Sequence, residues 1–290
     1  MTQQFAVIGS PIAHSLSPRI HNAIFEAEGR DAHMRAIDPV TFEQLTSDLE
    51  RWKAERTFEG LAVTAPYKPL IAALEGERSD EVALLEAANT LTLRESEPVS
   101  GDGVFWQIDN TDVAGFTHAV QQLLSPLKYR TFVVFGTGAT ARTIIYALIA
   151  HDAALIQVVG RSQEKARACI EPFESWQQSR AHKTELIAAS APAGKRFDCA
   201  INATTLGISA HDELVFPVSW FAEYAATVFD VVYRSTGTTR LVASARQRDI
   251  RALDGRAMLY GQAIEQARIW GAHSSSKELM DVIEQAIDKE

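Results

Sequence analysis

The chain has 290 residues, 46% of them hydrophobic and 22% charged, with a formal net charge of -9 at pH 7. A chain of this length and composition folds around one large core or two ordinary ones and is not disordered. The acidic balance argues against a nucleic-acid partner, which needs clustered Lys and Arg. Phe5 to Gly9 is a β-forming apolar run that ends at a glycine, which predicts a strand. Ser17 before Pro18 reads as a helix N-cap followed by a favoured first residue. Behind it Ile20, Ala23, Ile24 and Ala27 fall at helical spacing, so a helix is expected from Pro18 to Glu28, stopping at Gly29. A second helix is expected from Thr41 to Arg56, burying Phe42, Leu45, Leu49 and Trp52. Leu61 to Thr64 reads as a strand, Lys68 to Leu74 and Asp80 to Glu86 as helices. Leu91 to Leu93 and Gly103 to Ile108 read as a hairpin. This alternation makes the first part of the chain a small α/β unit.

The next stretch has a different character. Thr131 to Phe135 is a strand candidate, and a helical pattern runs from Arg142 to Ala150. Ile156 to Val159, Cys199 to Ile201 and Val228 to Val232 read as further buried strands, which implies a parallel sheet. Long helical signatures follow from Leu259. Cys169 and Cys199 form no C-x-x-C pair and read as buried thiols, so neither a disulfide framework nor a metal site is expected. No apolar run approaches the roughly 18 residues that span a bilayer. Met1 to Gly9 has no basic start with a long apolar stretch behind it, so the expected location is the cytoplasm.

Between the strand at Phe135 and the helix lies Gly136-Thr137-Gly138-Ala139-Thr140-Ala141, a G-x-G-x-x-A turn. Gly136 permits the tight turn, Gly138 lets a pyrophosphate approach the backbone, and Ala141 lets the helix pack close to the strand. The helix start then offers free N–H groups to phosphate. A glycine turn without cofactor, or a methyltransferase loop for S-adenosylmethionine, would share the pattern. NAD-binding versions carry Asp or Glu at the end of the second strand. Here that strand ends at Gly160-Arg161-Ser162, with Lys165 nearby and no carboxylate in that place. A guanidinium and a hydroxyl suit a 2′-phosphate, so NADP is expected.

Seven further segments carry a likeness. They are Gly9-Ser-Pro-Ile-Ala-His-Ser-Leu-Ser-Pro-Arg-Ile-His-Asn22, Ala62-Val-Thr-Ala-Pro-Tyr-Lys68, Ala87-Ala-Asn-Thr-Leu91, Asn110-Thr-Asp-Val-Ala-Gly115, Asn202-Ala-Thr-Thr-Leu-Gly207, Asp230-Val-Val-Tyr233 and Gly255-Arg-Ala-Met-Leu-Tyr-Gly-Gln262. In this order, across nearly the whole chain, they resemble the signatures of the shikimate dehydrogenase family. The resemblance implies two α/β domains around a cleft. A substrate-binding and catalytic domain would span 1–114 and be completed by helices at about 262–290. A Rossmann-type NADP domain would span 115–261. It implies interconversion of shikimate and 3-dehydroshikimate by hydride transfer, in aromatic amino acid biosynthesis, with a homodimer as the assembly to expect.

By the same likeness Ser15 and Ser17 bind the substrate carboxylate and Thr64 adds a hydroxyl. Hydroxyls at a helix start suit an anion, although an N-cap serine needs no ligand. Asn89, Asp112 and Gln262 hold the ring hydroxyls, and Tyr233 lies near the substrate. Thr204, Leu206, Gly207, Gly255 and Met258 belong to the cofactor side. Alcohol oxidation also removes the hydroxyl proton, and the likeness gives that work to Lys68 with Asp112 beside it, as one coupled acid–base unit. A lysine at a helix start opposes the dipole, so solvation alone does not account for it. His14 and His21 are tempting, but an imidazole near a helix start is more often a local hydrogen bonder.

Several positions depart from the family pattern: Ala62 for Asn, Ala88 for Val, Gly160 for Asn, Thr205 for Pro, and Ala139-Thr140 in the phosphate loop. Two rival readings stand beside the main one. A quinate or quinate/shikimate dehydrogenase would accommodate an extra hydroxyl near Ser15 and Ser17, using NAD or NADP. A sensor would keep the fold without turnover.

Overall fold

Two six-stranded sheets organise the protein. The computed structural model describes residues 2–39, 41–95, 103–178, 183–209, 212–234 and 237–288. The chain falls into two units, Met1–Thr111 with Gln262–Glu290, and Asp112–Gly261.

The first unit runs β1 (Gln3–Ile8), α1 (Ser17–Ala27), β2 (Ala32–Ile37), α2 (Phe42–Glu55), β3 (Gly60–Val63), α3 (Lys68–Ala72), β4 (Glu77–Arg78), α4 (Asp80–Leu85), β5 (Thr90–Glu95) and β6 (Val104–Asp109). Its sheet has the order β2-β1-β3-β5-β6-β4. β1 is parallel to β2 and β3, whereas β5 is antiparallel to β3 and β6. Alternate residues of β1 serve opposite faces. Ala6 and Ile8 pack with Leu45, Leu49 and Trp52 of α2. Phe5 and Val7 pack with Phe25 of α1 and with Trp270. Ala62 of β3 lies in that second cluster, so an alanine in place of the family's Asn leaves no buried amide among aromatic rings.

The second unit runs α5 (Asp112–Leu123), β7 (Thr131–Phe135), α6 (Ala139–Ala150), β8 (Leu155–Val159), α7 (Gln163–Gln177), β9 (Glu185–Ala189), β10 (Phe197–Asn202), α8 (Val218–Tyr224), β11 (Ala225–Asp230), α9 (Arg240–Arg246) and β12 (Arg251–Leu253). The chain leaves it within α10 (Arg256–Ile269) and ends the described part in α11 (Ser276–Asp288). Every pairing in this sheet is parallel, in the order β9-β8-β7-β10-β11-β12. That is the doubly wound dinucleotide-binding order, whose crevice opens beyond the carboxyl ends of the strands where the order reverses, here at β7 and β10.

Three expectations need correction. Ser17 is not the N-cap of α1: that place is held by Leu16, which makes no side-chain cap, and Ser17 is the first helical residue. The bond to a free amide comes instead from Ser15 Oγ, which accepts from the Ser17 N–H at 3.3 Å. Phe42 is not buried: it is 49% exposed and stands edge-on to Tyr67. It opens α2 directly after the Thr41 cap, before the helix has turned its apolar face inward. Finally, α6 begins at Ala139, not Arg142, because Gly138 occupies the N-cap. Among the described residues, no helix is long and apolar enough to cross a membrane.

Candidate functional site

In the first unit the segment after β1 lies against the segment after β3. The Ser10 N–H donates to the Ala65 carbonyl at 3.2 Å, and a Cβ on Gly9 would fall 2.4 Å from Thr64 Cγ2. Only glycine lets these two stretches meet, and the contact sets Ser15, Ser17, Thr64 and Lys68 along neighbouring strand ends. Ser15, Thr64 and Lys68 are half-buried and Ser17 is buried. Lys68 opens α3, and its carbonyl accepts from the Ala88 N–H at 3.1 Å, which brings the residue before Asn89 to it.

Asn89 is the centre of a buried polar group. Its backbone carbonyl accepts from Val63 at 2.7 Å, and its N–H donates to Asp109 at 3.1 Å. Its Oδ1 accepts from the Thr111 N–H at 2.8 Å, and its Nδ2 donates to Gln262 Oε1 at 2.9 Å. Two residues 173 apart in sequence are thus bonded within one unit. Gln266 donates from Nε2 to Thr90 Oγ1 at 3.0 Å and to the Asn89 carbonyl at 3.3 Å. The motif reading passes over Gln266 and Thr111. The helical spacing of Gln262 and Gln266, one turn apart, was the available signal for the former.

In the second unit, Asp112 is buried at the start of α5, where a carboxylate suits the helix dipole. The glycine turn follows β7. Gly136 has a φ of 123°, and a Cβ there would meet the Ala203 carbonyl oxygen at 2.7 Å. Gly138 differs: a Cβ on it would meet nothing within 4 Å. No neighbour explains the missing side chain at Gly138, so the space in front of it fits an external group that approaches the backbone, as a pyrophosphate does. Thr137, Ala139 and Thr140 are half-exposed around it, and Ala141 is fully buried where the helix packs. After β8, Gly160 leaves no room for the family's Asn, since a Cβ would sit 2.9 Å from the Ser162 carbonyl oxygen and 3.1 Å from Thr137 Cγ2. Ser162 caps α7 by accepting from the Lys165 N–H at 3.3 Å, and Arg161 and Lys165 are exposed. Two cations and a hydroxyl at this strand end suit a phosphate.

The remaining motifs gather at the ends of β10 and β11. Asn202 donates from Nδ2 to Asp230 Oδ1 at 2.8 Å and to the Leu206 carbonyl at 2.9 Å, while its Oδ1 accepts from the Thr204 N–H and hydroxyl at 3.0 and 2.7 Å. This clamps the Thr204–Gly207 turn to the sheet, and Gly207 takes a φ of 107° there. Burial pushes the Asp230 carboxyl up to about 6, against the bonds it accepts from Thr239, Val232 and Asn202. Gly255 lies so close to Val231 that a Cβ would be 2.1 Å from its carbonyl oxygen, and Met258 is buried beyond it. Burial also raises the Tyr233 phenol, with Tyr260 a second cause, so its hydroxyl stays neutral. Cys169 and Cys199 are buried free thiols, which burial raises to about 11 and about 12. Among the described residues, no group of three or more His, Cys, Asp or Glu could hold a metal ion.

Residues 7–91 match the family model of the shikimate dehydrogenase substrate binding domain. A shikimate dehydrogenase (NADP(+)) of Legionella pneumophila (strain Lens) is 32% identical over 97% of this chain and 98% of its own. The crystal structure of shikimate dehydrogenase from Aquifex aeolicus superposes with a TM-score of 0.84 at 27% identity, covering 99% of this chain and 98% of that one. Quinate dehydrogenase from Corynebacterium glutamicum, in complex with NAD, gives a TM-score of 0.81 at 25% identity over 98% and 99% of the two chains. Identity of this degree, sustained across nearly the whole of both sequences, is inheritance and not shared architecture alone: the chain belongs to the shikimate dehydrogenase family.

Proposed function

We propose that the protein interconverts shikimate and 3-dehydroshikimate with NADP as the hydride carrier, in aromatic amino acid biosynthesis. The observation that carries this reading is the near full-length likeness to a relative named shikimate dehydrogenase (NADP(+)), in a chain that keeps both Lys68 and Asp112. Bound NADP supplies the hydride acceptor in oxidation and the donor in reduction. The chain's own residues do the rest. Ser15 and Ser17 hold the substrate carboxylate, helped by Thr64. Asn89, Asp112 and Gln262 fix the ring hydroxyls, each with set donor and acceptor directions, and Tyr233 adds its neutral hydroxyl. Lys68 and Asp112 act as one acid–base unit: it takes the hydroxyl proton in oxidation and returns it in reduction.

For the cofactor, the backbone from Gly136 through Thr137, Gly138, Ala139 and Thr140 to Ala141 cradles the pyrophosphate. Arg161, with Ser162 and Lys165, reads the 2′-phosphate. Thr204, Leu206, Gly207 and Met258 border the nicotinamide, and Gly255 belongs to the cofactor side. A cytoplasmic location and a homodimeric assembly belong to the same reading. The likeness to a quinate dehydrogenase keeps quinate with NAD as the second reading. Gly160-Arg161-Ser162 at the end of β8, where NAD-binding versions carry Asp or Glu, speaks for NADP.

The test is steady-state oxidation of shikimate and of quinate, each with NADP and with NAD. The expected result is the highest kcat/KM for shikimate with NADP. A preference for quinate or NAD would overturn the substrate or cofactor assignment. Activity with none of the four pairs would overturn the enzymatic reading and favour a sensor.

A further inference from the structure

We propose that His21 and Gln266 are positioning residues that hold Asn89 and Gln262 ready for the substrate's ring hydroxyls. The proposal deepens the functional reading above and rests on it. All of its geometry lies within the unit formed by Met1–Thr111 and Gln262–Glu290.

His21 is 0% exposed on α1, its ring 5.0 Å from that of Trp270 and 6.1 Å from that of Phe25. Such surroundings suit a Phe or Leu, and an imidazole placed there loses its water. Its polar contact is Nε2 to Gln266 Oε1 at 3.1 Å, and its Nδ1 has no partner among the described residues. The proton positions follow from the partners. The Asn89 carbonyl can only accept, so the Gln266 atom that meets it at 3.3 Å is the NH2 nitrogen. The Gln266 oxygen therefore faces His21, and His21 Nε2 carries the proton that bonds to it. Burial lowers the imidazole to about 4, which keeps this neutral donor in place at physiological pH.

The same direction continues. Thr90 Oγ1 accepts from Gln266 Nε2 at 3.0 Å and donates to Asn89 Oδ1 at 2.9 Å. Asn89 Nδ2 then donates to Gln262 Oε1 at 2.9 Å. Five side chains share one donor direction from His21 to Gln262. With its oxygen occupied, Gln262 offers a ligand N–H, which suits the oxygen of a ring hydroxyl. Gln266 is the member of this chain that ties α10 to both the backbone of Asn89 and the hydroxyl of Thr90, and His21 holds the other end of its amide.

The test uses the full-length protein and three variants: Gln266→Leu, His21→Leu and His21→Gln. Gln266→Leu and His21→Leu are expected to raise the KM for shikimate about tenfold, the effect of about one misdirected hydrogen bond. The KM for NADP should stay within about twofold, and kcat should fall less than the KM rises. His21→Gln keeps a donor for Gln266 Oε1 and is expected to restore the shikimate KM most of the way. If His21 only fills space, His21→Leu will match the wild type, or His21→Gln will be as poor as His21→Leu; either result overturns the proposal. Should Gln266→Leu not fold, the two His21 variants decide the matter alone. Side-chain amide NMR resonances of Asn89 and Gln262 give a readout that needs no turnover. They should shift in His21→Leu and return in His21→Gln, and unchanged resonances would overturn the proposal. A wild type inactive on shikimate whose amide resonances behave as expected would sink the functional reading and leave the positioning chain standing.

Discussion

Gly136 and Gly138 stand two positions apart, and the same substitution should read them differently. Gly136→Ala places a methyl group against the Ala203 carbonyl at a φ of 123°, so a loss of roughly 1–3 kcal/mol of stability is expected in urea denaturation. Gly138→Ala meets nothing within the protein, so it should fold as the wild type does while its KM for NADP rises. Equal stability of the two variants would contradict this division. For Lys68→Ala the expected outcome is a kcat lowered about 10²–10⁴-fold, the usual scale of general acid–base catalysis, with shikimate binding by calorimetry little changed. Weakened binding with turnover preserved would remove Lys68 from the proton step. Arg161→Ala should weaken NADP at least about tenfold more than NAD, since only NADP carries the phosphate such a charged bond would read. Equal losses would show that Arg161 does not discriminate. Individual residues were only partly legible in the sequence. The Ser17-Pro18 pair announces a helix start correctly, yet a hydroxyl two residues earlier, on Ser15, reaches the amide. Which of two nearby serines reaches the amide is decided by the loop, and the loop is held by its contact with Ala65.

At the scale of elements, the strands that the apolar pattern reveals are the interior ones. β2, β4, β9 and β12 escape it, and they are the four edges of the two sheets. In β2 only Met34 is buried, β4 has two exposed residues, and β12 has three residues, of which only Ala252 is buried. An edge strand is covered less completely and needs fewer apolar residues, so its signal fades. β7 stands at the opposite extreme: from Phe132 to Phe135 it is buried throughout, and its bounds follow from sequence alone. Two buried groups give these elements opposing pH responses. His21, between α1 and α10, is lowered from 6.5 to about 4. Its contribution to stability is present above pH 6.5 and is lost as pH falls through about 4, on the order of 3 kcal/mol. Asp230, at the end of β11, is raised from 3.8 to about 6. Its contribution is present below pH 3.8 and is lost as pH rises through about 6. Urea midpoints between pH 7 and 4.5 should therefore fall less in His21→Leu than in the wild type, and more in Asp230→Asn. Parallel profiles would show that neither group is linked to folding.

The whole molecule is built from one unit interrupted by another. The parallel order of the second sheet was implied by strands that alternate with helices. The return of the chain to the first unit follows from the late Gln262 motif, because no composition change marks the border. What sequence could not display is the pairing of distant residues: Asn89 with Gln262, and His21 with Gln266. Each has an ordinary local explanation until the chain folds back. Trp270 makes the same return, closing over Phe5 and Gly60 from beyond the end of α10. This sets a timetable for birth on the ribosome. The first strand emerges early, but the indole that covers one of its faces is translated only after all of residues 112–261. At roughly 5–20 residues per second, the nascent chain carries that uncovered aromatic patch for a few tens of seconds. For that interval Phe5, Val7 and Phe25 lack the indole that completes their cluster, while the intervening unit is made without interruption.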